Sequence, residues 1–227
     1  MKRLILFFLL LTTVGYAQDR PKSESSSLDG FGESEWGASY ESIRDKFLNL
    51  SKNPNSTEKI EVVNEVKDES LLIRRNGINY LYRFYKTPAI VKESREKNIV
   101  DTSSTELDPK TGDQKHDGTG SLYSVGVLFN YVESDLLKLK IENKYGKPKK
   151  ESLDDNKIGG AVIWELTNAN EATPKGGYIV QWKDVYRKKP FSRRMDYYSA
   201  SIKDMIAKEY KEYFSVPEIK TLKELLN

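Results

Sequence analysis

The sequence predicts an α+β fold: helices packed on antiparallel meander sheet, in the order helix, three strands, helix, three strands, helix. Three observations carry this. Three stretches space their apolar residues as amphipathic helices do, with caps or stops at their ends. Between them lie short runs rich in Val, Ile and Tyr, punctuated by turn signals such as Asn76-Gly77. These runs come grouped between helices and do not alternate with them one by one, which favours local antiparallel pairing over a parallel βαβ sheet. The blocks 36–130 and 131–214 suggest a degenerate two-block repeat.

The chain opens on Met1-Lys2-Arg3 and an unbroken apolar run from Leu4 to Leu11, followed by Gly15-Tyr16-Ala17. A basic start, an apolar core of about eleven residues and small residues before the cut describe a signal peptide over 1–17, cleaved near Ala17. The run is about half the length needed to span a bilayer. No later stretch reaches that length, so no transmembrane span is expected after cleavage. With no cysteine in the chain, lipid attachment at a cysteine is excluded, along with disulfides, thiol nucleophiles and Cys-zinc sites. The expected location is the periplasm, or the secreted and cell-surface space, of a bacterial cell.

Residues 18–35 are polar and Ser/Gly/Glu-rich, and read as a flexible lead-in to a single α+β domain over 36–227. Ser39 is placed to cap a helix over 40–50 carrying Tyr40, Ile43, Phe47 and Leu50 inward. Ile60 and Val62 begin a strand. Leu71 to Arg75 and Ile78 to Tyr85 flank Asn76-Gly77 as a tight hairpin, with Tyr80, Tyr82 and Phe84 on the core face. Residues 93–120 lose all periodicity and read as a loop insertion with the composition of a disordered segment. A strand resumes at Leu122 to Phe129 and a helix at 132–145, stopped by Gly146 in a left-handed cap and by Pro148. Strands are expected at 161–166, 178–182 and 195–199, then a helix over 202–214 capped by Ser199 or Ser201, and a short last helix over 217–226.

Two features resemble a known group of domains. Trp36-Gly37-Ala38-Ser39, with Ile43 following on the helix, is similar to the WG-x-S opening of small exported bacterial α+β domains. Lys144-Tyr145-Gly146-Lys147-Pro148, followed by a strand with Trp164, resembles a second feature of that group. These domains are broadly BamE-like or β-lactamase-inhibitor-like, with helix pairs packed on a meander. The resemblance covers 36–185 apart from 93–120. It implies a binding or assembly-accessory role and carries over no functional residue.

The residues nominate no catalytic group, cofactor or metal ligand. The one histidine, His116, lies in the polar stretch with Asp113 and Asp117, where nothing would hold a catalytic base rigid. The acidic run from Asp108 to Asp117 lacks EF-hand spacing. Gly118-Thr119-Gly120 and Gly159-Gly160 lead into strands, not helices, so neither is a phosphate loop. Removing Lys2 and Arg3 with the leader leaves 35 basic against 34 acidic residues, without the surplus that marks a nucleic-acid binder.

Against that balance one segment stands out. Lys183 to Arg194 (KDVYRKKPFSRR) holds Lys183, Arg187, Lys188, Lys189, Arg193 and Arg194 against the single acid Asp184, with Tyr186 and Phe191 interleaved. Lys147, Lys149 and Lys150 form a second cluster. Such a segment attracts anionic partners: an acidic envelope or extracellular protein, a polysaccharide or an anionic surface. Alternatively, lysines at a hairpin end simply keep an edge soluble. The function expected is an exported, non-enzymatic binding or envelope-accessory protein. The alternatives are a secreted hydrolase using a carboxylate pair and a structural envelope or adhesion protein.

Overall fold

The structure, a computed structural model, describes residues 28–53, 58–86, 120–156, 158–167, 176–211 and 213–227. Helix α1 (Tyr40–Ser51) starts where the sequence places its cap: the Ser39 hydroxyl accepts the Ser42 N–H at 3.2 Å. Its inward residues Tyr40, Ile43 and Phe47 are buried. Four strands follow, β3 (Ile60–Val66), β4 (Ser70–Arg75), β5 (Ile78–Tyr85) and β6 (Ser121–Glu133). Asn76 and Gly77 turn the β4–β5 hairpin with φ of 51° and 83°, the paired positive angles of a type I′ turn. Helix α2 (Ser134–Tyr145) then leads to β7 (Lys150–Leu153), β8 (Gly160–Thr167), β9 (Gly176–Tyr186) and β10 (Lys189–Ser199).

These eight strands form one antiparallel sheet in the order β3-β4-β5-β6-β10-β9-β8-β7. The protein is therefore of the α+β class. Each meander of four runs in chain order, and the two meet where β6 lies beside β10, with Val125 opposite Tyr197 and Val127 opposite Met195.

Strand alternation decides which residues face which helix. On one face α1 packs Tyr40, Ile43 and Phe47 against Leu71, Ile73, Tyr82 and Phe84. On the same face α2 sets Ile141 among Val162, Trp164, Ile179 and Met195. The other face of the second meander carries Ile163, Val180 and Tyr198 under helices α3 (Ile202–Ala207) and α4 (Val216–Leu226). Ser215 and Glu218 close α4 with a reciprocal capping box. Gly146 ends α2 with φ +88°, accessible to glycine, but its ψ of −171° makes this an extended exit, not the left-handed cap the sequence suggests. Among the described residues no helix is long and apolar enough to cross a membrane.

Several expectations are corrected. Residues 28–35, expected within a flexible lead-in, are packed. They form a small hairpin, β1 (Gly30–Phe31) with β2 (Ser34–Glu35). The Phe31 ring lies 4.7 Å from that of Tyr197 and 5.9 Å from that of Tyr80, and the Leu28 carbonyl accepts the Trp36 indole N–H at 2.7 Å. One aromatic among polar neighbours anchors a stretch whose average composition suggests none. Among the described residues each block contributes four strands to the sheet: the strand expected at 122–129 is β6, the fourth of the first block, and the unexpected strand is β7 (sequence KESL), with no apolar alternation to announce it. The helix expected over 202–214 stops at Ala207, and Glu209 at φ 53° takes the chain through turns, so that Tyr210, Tyr213 and Phe214 reach the core from irregular backbone. The signal peptide, residues 18–27 and the insertion over 93–119 lie outside the described residues. Gly120 is described: a Cβ there would meet the Asp68 carbonyl oxygen at 2.3 Å, which requires glycine.

Phe31→Ala will cost about 2 kcal/mol in urea unfolding, as expected for a partly buried aromatic. Glu35→Ala, on the exposed side of the same hairpin, will stay within about 0.5 kcal/mol of wild type.

Candidate functional site

The basic segment builds the hairpin of β9 and β10. Tyr186 pairs with Lys189 across a two-residue turn made by Arg187 and Lys188, whose φ angles are 50° and 62°. This is the backbone that Asn76-Gly77 adopts at the other hairpin. Arg and Lys have a Cβ that strains there, at roughly 1 kcal/mol each. The chain therefore keeps two cations where cheaper turn residues exist.

Regular pairing through Pro190–Val185 and Phe191–Asp184 puts Asp184, Tyr186, Lys189 and Phe191 on one face of the tip. Tyr131, near the end of β6, stacks on Phe191 with ring centroids 5.2 Å apart and planes 20° from parallel. The Arg193 guanidinium lies over the Phe191 ring at 5.6 Å and that of Arg187 over Tyr186 at 5.1 Å. Tyr131 and Tyr186 are 58% and 61% exposed, large aromatics left in water. Among the described residues no carboxylate forms an ion pair with Arg187, Lys188, Lys189 or Arg193.

The other two predicted contacts are not available to a partner. The Lys183 side chain is only 7% exposed, and its Nζ sits 3.3 Å from Oδ1 of Asp135 at the start of α2. Arg194 belongs to a buried polar cluster. Its Nε donates to Asp196 Oδ1 at 2.9 Å, its Nη1 lies 2.7 Å from Glu218 Oε1, and its guanidinium covers Trp182 at 5.3 Å. Nη2 comes within 2.7 Å of Asp196 Oδ2 but out of line for a hydrogen bond, so the Nε bond carries the directional part of this pair. Burial works against the Arg194 charge, yet Asp196 and Glu218 outweigh it and hold the proton more tightly than usual. Asp196 also accepts from Trp182 Nε1 at 2.7 Å and the Tyr198 hydroxyl at 2.8 Å. Room for its carboxylate comes from Gly126 opposite, where a Cβ would stand 3.0 Å from Oδ1. Two residues that look alike in sequence, Arg193 and Arg194, thus do opposite things: both lie where the β10 register shifts, and there Arg193 is left exposed while Arg194 lies over Trp182 within reach of Asp196 and Glu218.

The second cluster also divides. Lys149 pairs with Glu165, while Lys147 and Lys150 are exposed. His116 and the Asp108–Asp117 run lie outside the described residues. Among the described residues no group of three His, Asp or Glu side chains could hold a metal ion. Asp196 and Glu218, the carboxylates that flank one buried spot, are both committed to Arg194. The site residue that sequence reasoning misses is Tyr131: β6 runs past the apolar stretch ending at Phe129, and the only available signal is an aromatic among Asn130, Val132 and Glu133.

No family model, curated protein or solved structure matches this chain.

Asp196→Ala will destabilise by about 2–3 kcal/mol in denaturant unfolding, since it removes the buried acceptor of Trp182 and Tyr198 and one of the two carboxylates of the partly buried Arg194. Arg193→Ala will leave stability within about 0.5 kcal/mol of wild type. Acidification tests the same cluster. Although burial raises it, the Glu218 carboxyl is held below its ordinary 4.5 by the Ser215 N–H and Arg194. A depressed folded value gives stability that is fully present above 4.5 and is lost as pH falls through the folded value. Urea midpoints measured through that range will fall less steeply for Glu218→Gln than for wild type.

Proposed function

We propose that this protein is an exported, non-enzymatic binding or envelope-accessory domain that contacts an anionic partner through the tip of the β9–β10 hairpin. The observation that carries the reading is the tip itself. Arg187, Lys188, Lys189 and Arg193 stand without a paired carboxylate beside exposed Tyr131 and Tyr186. Several cations elsewhere are matched, as Arg44 is by Glu65, Lys138 by Glu151 and Lys223 by Glu209, whereas the tip gathers four unmatched ones in one hairpin. A hairpin whose cations served only solubility would have no need to strain two of them into the left-handed region or to set aromatic rings beside them.

Export rests on the basic start, apolar run and small-residue cut of residues 1–17. The lack of a free carboxylate pair around Arg194 favours binding over the hydrolase alternative. In each half a helix precedes a four-strand meander, α1 with β3–β6 and α2 with β7–β10, and the halves meet last strand to last strand. That layout supports a degenerate two-block repeat. The likeness to BamE-like and β-lactamase-inhibitor-like domains, which implies binding or assembly, rests on Trp36-Gly37-Ala38-Ser39 and on Lys144 to Pro148.

Retention on immobilised heparin at low salt tests the reading. The quadruple variant R187A/K188A/K189A/R193A, with Lys183 and Arg194 kept, will elute at clearly lower salt than wild type, because screened attraction falls with the charge removed. Equal elution would overturn the proposal. The turn gives a second test: R187N/K188G will unfold at higher urea by about 1 kcal/mol, relieving left-handed strain, while binding heparin more weakly.

A further inference from the structure

Granting the anionic-partner reading above, we infer that the tip takes a linear acidic polysaccharide, with sugar rings lying on Tyr131 and Tyr186 and their carboxylates or sulfates meeting Arg187, Lys189 and Arg193. The register carries this. Tyr131 on β6, Phe191 and Lys189 on β10 and Tyr186 on β9 share one face, and Arg193 and Arg187 cover the Phe191 and Tyr186 rings. Rings and cations therefore alternate in a row across three strands. At about 4.8 Å per strand and about 3.3 Å per residue along it, the row runs diagonally over about 12–16 Å, a length suited to consecutive sugars of a chain that carries one anion per ring. The exposed tyrosines offer an apolar ring face and a hydroxyl that can bond sugar hydroxyls. Asp184, the acid on this face, confines the anions to the positions of the three cations.

The arrangement fits a bilayer poorly. Membrane-seeking tips lead with apolar groups and leave cations at headgroup level. Here the order is reversed: Arg187 and Lys188 form the extreme end, and Val185, Tyr186 and Phe191 sit behind them. It also differs from a protein-docking patch, which gathers its apolar groups centrally and keeps charge at the rim. At this tip the two are interleaved.

The test titrates the full chain with polygalacturonate and heparin oligosaccharides, with dextran of similar length, with polyglutamate of similar charge, and with vesicles of phosphatidylglycerol or phosphatidylcholine. At least one acidic oligosaccharide is expected to bind about tenfold more tightly than polyglutamate, the scale of one or two ring-stacking contacts, and dextran not to bind. Tyr131→Ser and Tyr186→Ser, both at exposed sites and checked by circular dichroism, will remove that preference and leave polyglutamate binding unchanged. Equal binding of polyglutamate and acidic oligosaccharides, or an unchanged preference in both tyrosine variants, overturns the inference and leaves the anionic-partner reading standing. So does phosphatidylglycerol binding that the oligosaccharides do not displace. Failure of every polyanion and of anionic vesicles to bind overturns the reading beneath it.

Discussion

The pairing of β6 with β10 holds the molecule together. Each meander closes its own hydrogen bonds locally, but β6 and β10 would both be open edges without one another, and open edges invite pairing with other chains. Val125 opposite Tyr197 and Val127 opposite Met195 join the halves. The same junction brings Tyr197 to Phe31 and Met195 into the cluster around Trp164. Because the partners lie far apart in the chain, loop closure must be offset by burial on both faces. The sheet has that burial, from α1 and α2 on one side and α3 and α4 on the other.

A buried charge cluster sits at this seam. Asp196 faces Gly126 across the β6–β10 pair and gathers Arg194, Trp182 and Tyr198, and Arg194 reaches on to Glu218 of α4. A cluster of this kind contributes little net stability compared with an apolar equivalent. What it adds is position. A slip of one residue in the seam would turn these groups onto the face packed by α2, where Ile141, Trp164 and Ile179 have nothing to offer them. Capping and charge meet in Glu218, which closes α4 through Ser215 and neutralises Arg194.

The tip of β9–β10 follows from the same strands continued beyond the core. Where β10 faces the cluster its arginine is consumed internally. A few residues nearer the turn, past the shift in the β10 register, Phe191 stacks on Tyr131 with Arg193 over its ring, and the cations of the turn have no internal partner. Fold and candidate site are therefore one structure read at two ends of a strand pair. The strained turn costs stability, as functional backbone often does.

Much of this was legible in the chain of residues alone. Periodicity, with Ser39 before one helix and Gly146 after the other, marked α1 and α2, and Asn76-Gly77 marked its hairpin, because those signals depend on contacts within a few residues. The segment 183–194 announced itself by charge. Sequence could not divide its six cations, because Lys183 and Arg194 are consumed by Asp135, Asp196 and Glu218, distant in the chain or set by strand direction. Nor could it find Tyr131, the packed hairpin at 28–35, or the short strand β7, whose reasons lie in partners brought from elsewhere. Local propensity determined which elements form. The tertiary structure decided which edges meet and which charges remain free, since both depend on pairing across long stretches of chain that no local pattern records.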